Sequence, residues 1–193
     1  MNTIFLPFFL FNLFLVGSLL DKGSTQKIVM IDPQSSYVEI HGSTNVNNFN
    51  CSYKADLPEN KFEVKLIRKG GFIEIQHEPL LLEVRNFQCP HSQMTDDLHD
   101  LLEYEDYPNI VFQLTEISNK KTAHIMIEMA GEKQNYELKV DNNTENNRLT
   151  CKAIMQLCLK DFGLEAPEKF FGMIKVDEEI EVEFKIDMKV FDK

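Results

Sequence analysis

The chain has 193 residues, of which 20 are basic and 31 acidic, giving a formal net charge of −11. Binding along a phosphate backbone needs concentrated Lys and Arg, so nucleic acid is not expected as a partner. Beyond the first twenty residues lies one domain's worth of chain, undivided by any linker or repeat and large enough to bury a core of its own.

The chain opens with an almost unbroken apolar run at 4–16 carrying Phe5, Phe8, Phe9, Phe11 and Phe14. Residues 1–20 read as a secretory signal, with Gly17 and Ser18 as a small-residue cleavage site. The alternative is an uncleaved anchor: 4–20 is close to the lower limit of about 17 residues for crossing a bilayer, but Pro7 and Asn12 weaken it. The first reading sends the protein to a periplasmic or extracellular space. Membrane contact is expected only under the second.

The domain itself, 27–193, begins with strands at 27–31 and 36–41 separated by Asp32 and Pro33, and Phe49, Cys51 and Tyr53 continue the alternation. Pro58, Glu59 and Asn60 make a turn. Phe62, Val64 and Leu66 lead into Arg68, Lys69, Gly70 and Gly71, a hairpin turn because glycine tolerates positive φ, and 72–76 returns. Strands at 80–87 and 110–117 flank the one helix. Ser92 or Thr95 is its expected cap, and Asp96 and Asp97 suit the positive end of its dipole. Met94, Leu98, Leu101 and Leu102 share one face, and Tyr107 and Pro108 end it.

In the last third, 123–129 and 136–140 form a hairpin around Gly131, 141–147 is a polar loop, and 149–160 is a strand. A long connection through Gly163, Pro167 and Gly172 leads to the final pair, 173–176 and 180–190. That last strand alternates without a fault: Ile180, Val182, Phe184, Ile186, Met188 and Val190 against Glu181, Glu183, Lys185, Asp187 and Lys189. A period of two with one apolar and one charged face is the pattern of an antiparallel sheet packed on one side and solvated on the other. With roughly nine such strands and one short helix, the chain is mainly β, and an antiparallel up-and-down β-barrel is expected ahead of a sandwich.

Four cysteines fall in the presumed exported part, where disulfides are permitted. Cys151 and Cys158 share one strand, which separates their Cα atoms by roughly 23 Å, far beyond the reach of a disulfide. Cys51 with Cys89 is then one candidate pair, and reduced thiols are the alternative.

The sequence offers no convergent set of catalytic groups: no nucleophile elbow, no phosphate-cradling glycine loop and no metal-binding histidine pair on a helix. Cys89, His91, Asp96, His99 and Asp100 are of residue types that could hold zinc, but a cysteine beside a solvated acidic helix explains them as well. No metal, cofactor or enzymatic activity is expected. Phe112, Leu114, Ile125, Ile127, Met155, Leu157, Phe184 and Ile186 should project inward from neighbouring strands. They either line an apolar lumen or fill it, because an eight-stranded barrel is just wide enough for both. Periodicity alone favours the packed core.

The segment from Ser36 through Gly42 to Asn45, with Phe49 and Cys51, followed by Phe87, Gln88 and Cys89, resembles the opening of the YceI-like family. The resemblance continues through Met94, Leu98–102, Pro108 to Phe112, Asp161 to Gly163, Pro167 and Gly172 to Val176. It implies a lipocalin-like barrel that binds a lipid or polyisoprenoid, and so an open lumen lined by those eight inward-facing residues. It also favours pairing of Cys51 with Cys89, since Phe49 with Cys51 and Phe87 with Cys89 look like a subgroup in which both cysteines recur. Leu98, Leu101 and Leu102 would then be the inner face of a lid. The expectation is an exported, non-enzymatic protein holding an apolar or amphiphilic small molecule; a packed barrel acting as an interaction or assembly module is the alternative.

Overall fold

The computed structural model describes residues 23–54, 61–118, 121–169 and 173–193. The apolar run at 4–16, the turn at 58–60 and Gly172 lie outside the described residues. Strands β1 (Ser24–Ile31), β2 (Tyr37–Ser43), β3 (Asn48–Tyr53), β4 (Lys61–Lys69), β5 (Phe72–Gln76), β6 (Leu80–Glu83) and β7 (Phe87–Gln88) precede helix α1 (Ser92–Leu101). After it come β8 (Asn109–Ser118), β9 (Thr122–Met129), β10 (Glu132–Lys139), β11 (Asp141–Glu145) and β12 (Arg148–Cys158). The chain ends with the short pair β13 (Glu168–Lys169) and β14 (Ile174–Lys175) and the long β15 (Glu179–Asp192).

The main ladders are antiparallel, and strands β12-β15-β1-β4-β5-β8-β9-β10 follow one another in a curled sheet. β15 organises it. Its length lets β1 and β2 pair end to end along one edge while β12 runs along the other. The alternation places Phe184 between Val38 and Ala153, and Val182 between Ile40 and Met155, so the three strands present one continuous apolar face. Ile40, Cys51, Leu82, Phe87, Ile125, Met155, Leu157 and Phe162 are among the residues buried in the core behind it.

The expected closed barrel is corrected here. Among the described residues no backbone ladder joins β10 to β12, so the sheet is mainly β and antiparallel but not closed by hydrogen bonds. Side chains cross the seam instead. Gln134 Nε2 donates to the Asp161 carbonyl at 2.6 Å, and Tyr136 stacks on Phe162 with ring centroids 6.3 Å apart. Burial, helped by the neighbouring Asp161 carboxylate, pushes the Tyr136 phenol up to about 12, which keeps it a neutral donor.

Three local expectations also change. The stretch 80–87 is not one strand: a single 3-10 turn at Val84–Asn86 transfers the chain from β6, paired with β8, to β7, paired with β3. Val84 and Phe87, each 1% exposed, are swallowed by the core at this corner. The polar stretch at 141–147 contains β11, which pairs with β12 although every one of its side chains is exposed. Backbone pairing alone builds it, so side-chain pattern does not announce it. Finally, neither Ser92 nor Thr95 caps α1; His91 occupies that position without a side-chain bond, and Thr95 Oγ1 accepts from the Cys89 N–H at 3.0 Å.

Cys51 and Cys89 form a disulfide across 38 residues, joining β3 to the segment that leads into α1. Cys151 and Cys158 are free thiols on β12, and burial pushes Cys151 up to about 11. No helix among the described residues is long and apolar enough to cross a membrane.

Candidate functional site

Inside the curled sheet lies a cavity of about 120 Å³ whose lining is apolar throughout. Three groups of side chains meet there. β15 contributes Ile180, Val182, Phe184 and Ile186, which alternation alone aims inward. β12 contributes Met155 and Leu157, and β8 and β9 contribute Ile110, Phe112, Ile127 and Met129. α1 and the residue after it bring Leu98, Leu101 and Leu102 against the same space, held there in part by the disulfide at the helix's leading segment.

Of the eight lumen residues expected from sequence, Phe112, Ile127, Met155, Leu157, Phe184 and Ile186 line the cavity; Leu114 and Ile125 do not. Both point to the interior side but sit further along their strands, where Leu114 pairs with Ile125 next to a register shift between Leu114 and Glu116. Ile125, 1% exposed, is solid core. Lining residues outside those eight include Val38 and Ile40 on β2, Phe49 on β3, Leu80 and Leu82 on β6, and Val176. The alternation of β2 was signal enough for Val38 and Ile40, whereas Leu80 to Leu82 is an unbroken apolar triplet whose facing is set only by its ladder with β8. Nothing local marked Val176, which reaches the cavity only because Thr44 and Val176 form an isolated bridge.

Phe112 and Phe184 cross the lumen in an edge-to-face contact with centroids 5.6 Å apart, and they set how much of it is empty. On the outer side of the β2–β3 end lies a broad open cleft of about 1010 Å³ with a mixed polar and apolar lining. Its carboxylates are Asp177, Glu178, Glu179 and Glu181, with Lys175 the one lysine. Phe49 and Val176 line both spaces and so form the partition between them. Gly42 sits directly opposite Phe49 in the β2–β3 ladder. A Cβ there would meet the Phe49 ring at 2.3 Å, so only glycine lets the ring lie flat against the strand.

That contact gives a first test. Gly42→Ala must push the Phe49 ring off its seat and is expected to cost about 1–3 kcal/mol in urea unfolding. Gly71→Ala, where nothing lies within 4 Å of the added carbon, should stay within about 0.5 kcal/mol of the parent. Equal stability of the two variants would show that Phe49 does not need the space over Gly42.

The Cys89, His91, Asp96, His99 and Asp100 cluster does not assemble into a metal site. Cys89 is bonded to Cys51, and the Nε2 of His99 lies 3.0 Å from the Phe87 carbonyl oxygen, which ties the ring to the chain before the helix.

No curated protein matches the chain by sequence. Among solved structures, BcnA of Burkholderia cenocepacia superposes with a TM-score of 0.59 at 14% identity, covering 81% of this chain and 98% of that one. A Campylobacter jejuni YCEI protein that crystallizes with large solvent channels matches with a TM-score of 0.44 at 12% identity, over 58% of this chain and 72% of its own. The likeness to BcnA is one of fold. The model of the YceI-like domain matches residues 30–188, and with most of its length so matched this chain belongs to the YceI-like family.

Proposed function

We propose that the protein is an exported, non-enzymatic binding protein whose ligand is an apolar or amphiphilic small molecule, a lipid or isoprenoid, with its apolar part in the cavity. The observation that carries this reading is an interior space lined entirely by apolar side chains, among them Leu98, Leu101 and Leu102 of the α1 segment. A lining without a single acid, base or nucleophile suits retention of a ligand and offers nothing to transform it. The Cys51–Cys89 bond supports an oxidising, exported setting.

The ligand must make some of its own room. Drug-sized pockets run to about 300–1,000 Å³, and this cavity has about 120 Å³. A full chain is therefore admitted as Phe112 and Phe184 turn aside. Each methylene taken from water contributes about 0.8 kcal/mol, so ten supply on the order of 8 kcal/mol before the entropy of association is subtracted. That gross gain, with no charged anchor to add to it, has to cover both the association cost and the rearrangement of two rings. The polar end of an amphiphile would lie past Phe49 and Val176 in the cleft, where the carboxylates disfavour an anionic head group and leave a neutral one the better fit.

Native mass spectrometry of gently purified protein tests the proposal. A reproducible adduct that organic extraction identifies as a lipid is the expected result. Repeated preparations without one, together with no binding of added long-chain alcohols, would leave the packed interaction module as the better reading.

A further inference from the structure

We propose that Glu39, His41 and Glu183, on the outer face of β2 and β15, form a binding site for a divalent first-row transition ion of the zinc class. The site lies outside the apolar cavity, and only His41 of the three also borders the neighbouring cleft. Strand alternation brings Glu39 and His41 to the same face two residues apart, and the register sets Glu183 directly opposite Glu39. Two carboxylates facing each other across a ladder repel, and a cation between them removes the penalty.

The hydrogen bonds sort the oxygens. Glu183 Oε1 accepts from the Tyr37 hydroxyl at 2.6 Å, and Glu39 Oε1 accepts from the Ser52 hydroxyl at 2.8 Å. The Oε2 atom of each is left over, and both turn to His41 Nε2, at 3.8 Å from Glu39 and 3.6 Å from Glu183. These separations are too long for hydrogen bonds, and the Nε2 atom is shielded from solvent without a hydrogen-bond partner. Tetrahedral ligands about 2.0–2.2 Å from zinc stand about 3.3–3.6 Å from one another, so a small inward movement brings all three donors onto one ion. Among the described residues this is the one His, Cys, Asp and Glu group whose donor atoms gather so closely, all within 4.8 Å.

The surroundings match the role. The three side chains are 31%, 35% and 33% exposed, which places the group at the protein surface with the His41 Nε2 atom turned inward between the two carboxylates. The Tyr37 hydroxyl, donating to Glu183 Oε1, fixes that carboxylate as an outer-sphere donor fixes a metal ligand. Glu181, opposite His41, is drawn away by Gln156, whose Nε2 donates to its Oε2 at 2.8 Å. One imidazole and two carboxylates suit zinc and its neighbours better than calcium, which takes oxygen alone.

The test uses the full chain, stripped with chelator and titrated with zinc chloride by calorimetry, with metal content measured after dialysis. One tightly held equivalent and a raised Tm are expected for the parent. His41→Gln and Glu183→Gln should each weaken binding at least tenfold, and Tyr37→Phe should weaken it less while keeping the stoichiometry. Glu39→Gln serves as the second ligand variant should either of the first two fail to fold. Failure of the folded parent to bind zinc, or a His41→Gln protein that binds it as tightly as the parent, overturns the proposal.

Discussion

Reduction of the Cys51–Cys89 bond, or its replacement by Cys51→Ala with Cys89→Ala, is expected to remove about 4 kcal/mol of stability. The figure comes from chain entropy: the bond closes a loop across 38 residues, and that closure restricts the unfolded chain far more than the folded one. For a domain of this size the loss corresponds to about 8–16 °C in Tm. The damage should also be uneven. Cys51 has no exposed surface and lies in β3, whereas Cys89 leads into α1, which is held to the sheet by a few leucines and by the His99 ring against the Phe87 carbonyl, and to its own leading segment by the bond from the Cys89 N–H to Thr95. Hydrogen exchange should therefore accelerate first in α1 and β7 and only later in β15. If oxidised and reduced proteins melt within about 2 °C of each other, the bond does not constrain the unfolded chain to the extent that loop closure requires.

How much of this was legible in the sequence depended on whether a feature is local. The unbroken alternation from Ile180 to Val190 identifies both the existence and the facing of β15, and its Ile180, Val182, Phe184 and Ile186 do line the cavity. The three leucines of α1 are likewise marked by helical spacing and lie where that spacing aims them. Periodicity states which face a residue is on and nothing about how far along the strand the empty space extends. Leu114 and Ile125 share the correct face with Phe112 and Ile127, yet they stand outside the cavity.

Features made by register between distant strands were illegible for the same reason. Glu39 and Glu183 are 144 positions apart, and each alone is an unremarkable charge on a wet strand face; only the ladder between β2 and β15 sets them opposite. The open seam is of this kind too, since no property of β10, or of β12 and the 3-10 turn at Leu159–Phe162 that follows it, says by itself that the two sides will meet through Gln134, Tyr136 and Phe162 without a ladder. The break at Val84–Asn86 and the strand at Asp141–Glu145 were hidden differently: the first follows Leu82, Glu83, Val84 and Arg85, which alternate as a strand would, and the second is a stretch with no apolar residue at all.

Phe112→Ala and Phe184→Ala, made separately, are each expected to cost about 3–5 kcal/mol in the ligand-free protein, the usual penalty for deleting a large aromatic from a core. Their edge-to-face contact adds a coupling of about 0.5–1.5 kcal/mol, so the double variant should lose less than the sum of the singles. Stability alone does not separate a receptive chamber from a packed core, because both lose the ring. The response to a neutral long-chain alcohol does. In a receptive chamber the deleted ring enlarges a space that is already apolar on every side, so the alcohol should raise the Tm of each variant more than that of the parent, and the longest chain that binds should lengthen. In a packed core the surrounding side chains collapse onto the gap and the alcohol restores nothing. Phe184→Leu guards against outright unfolding, since Phe184 sits at the centre of the β2–β15–β12 face and its loss falls on three strands at once. An alcohol that leaves both variants and the parent at unchanged Tm would refute a ligand in this cavity while leaving the fold as described.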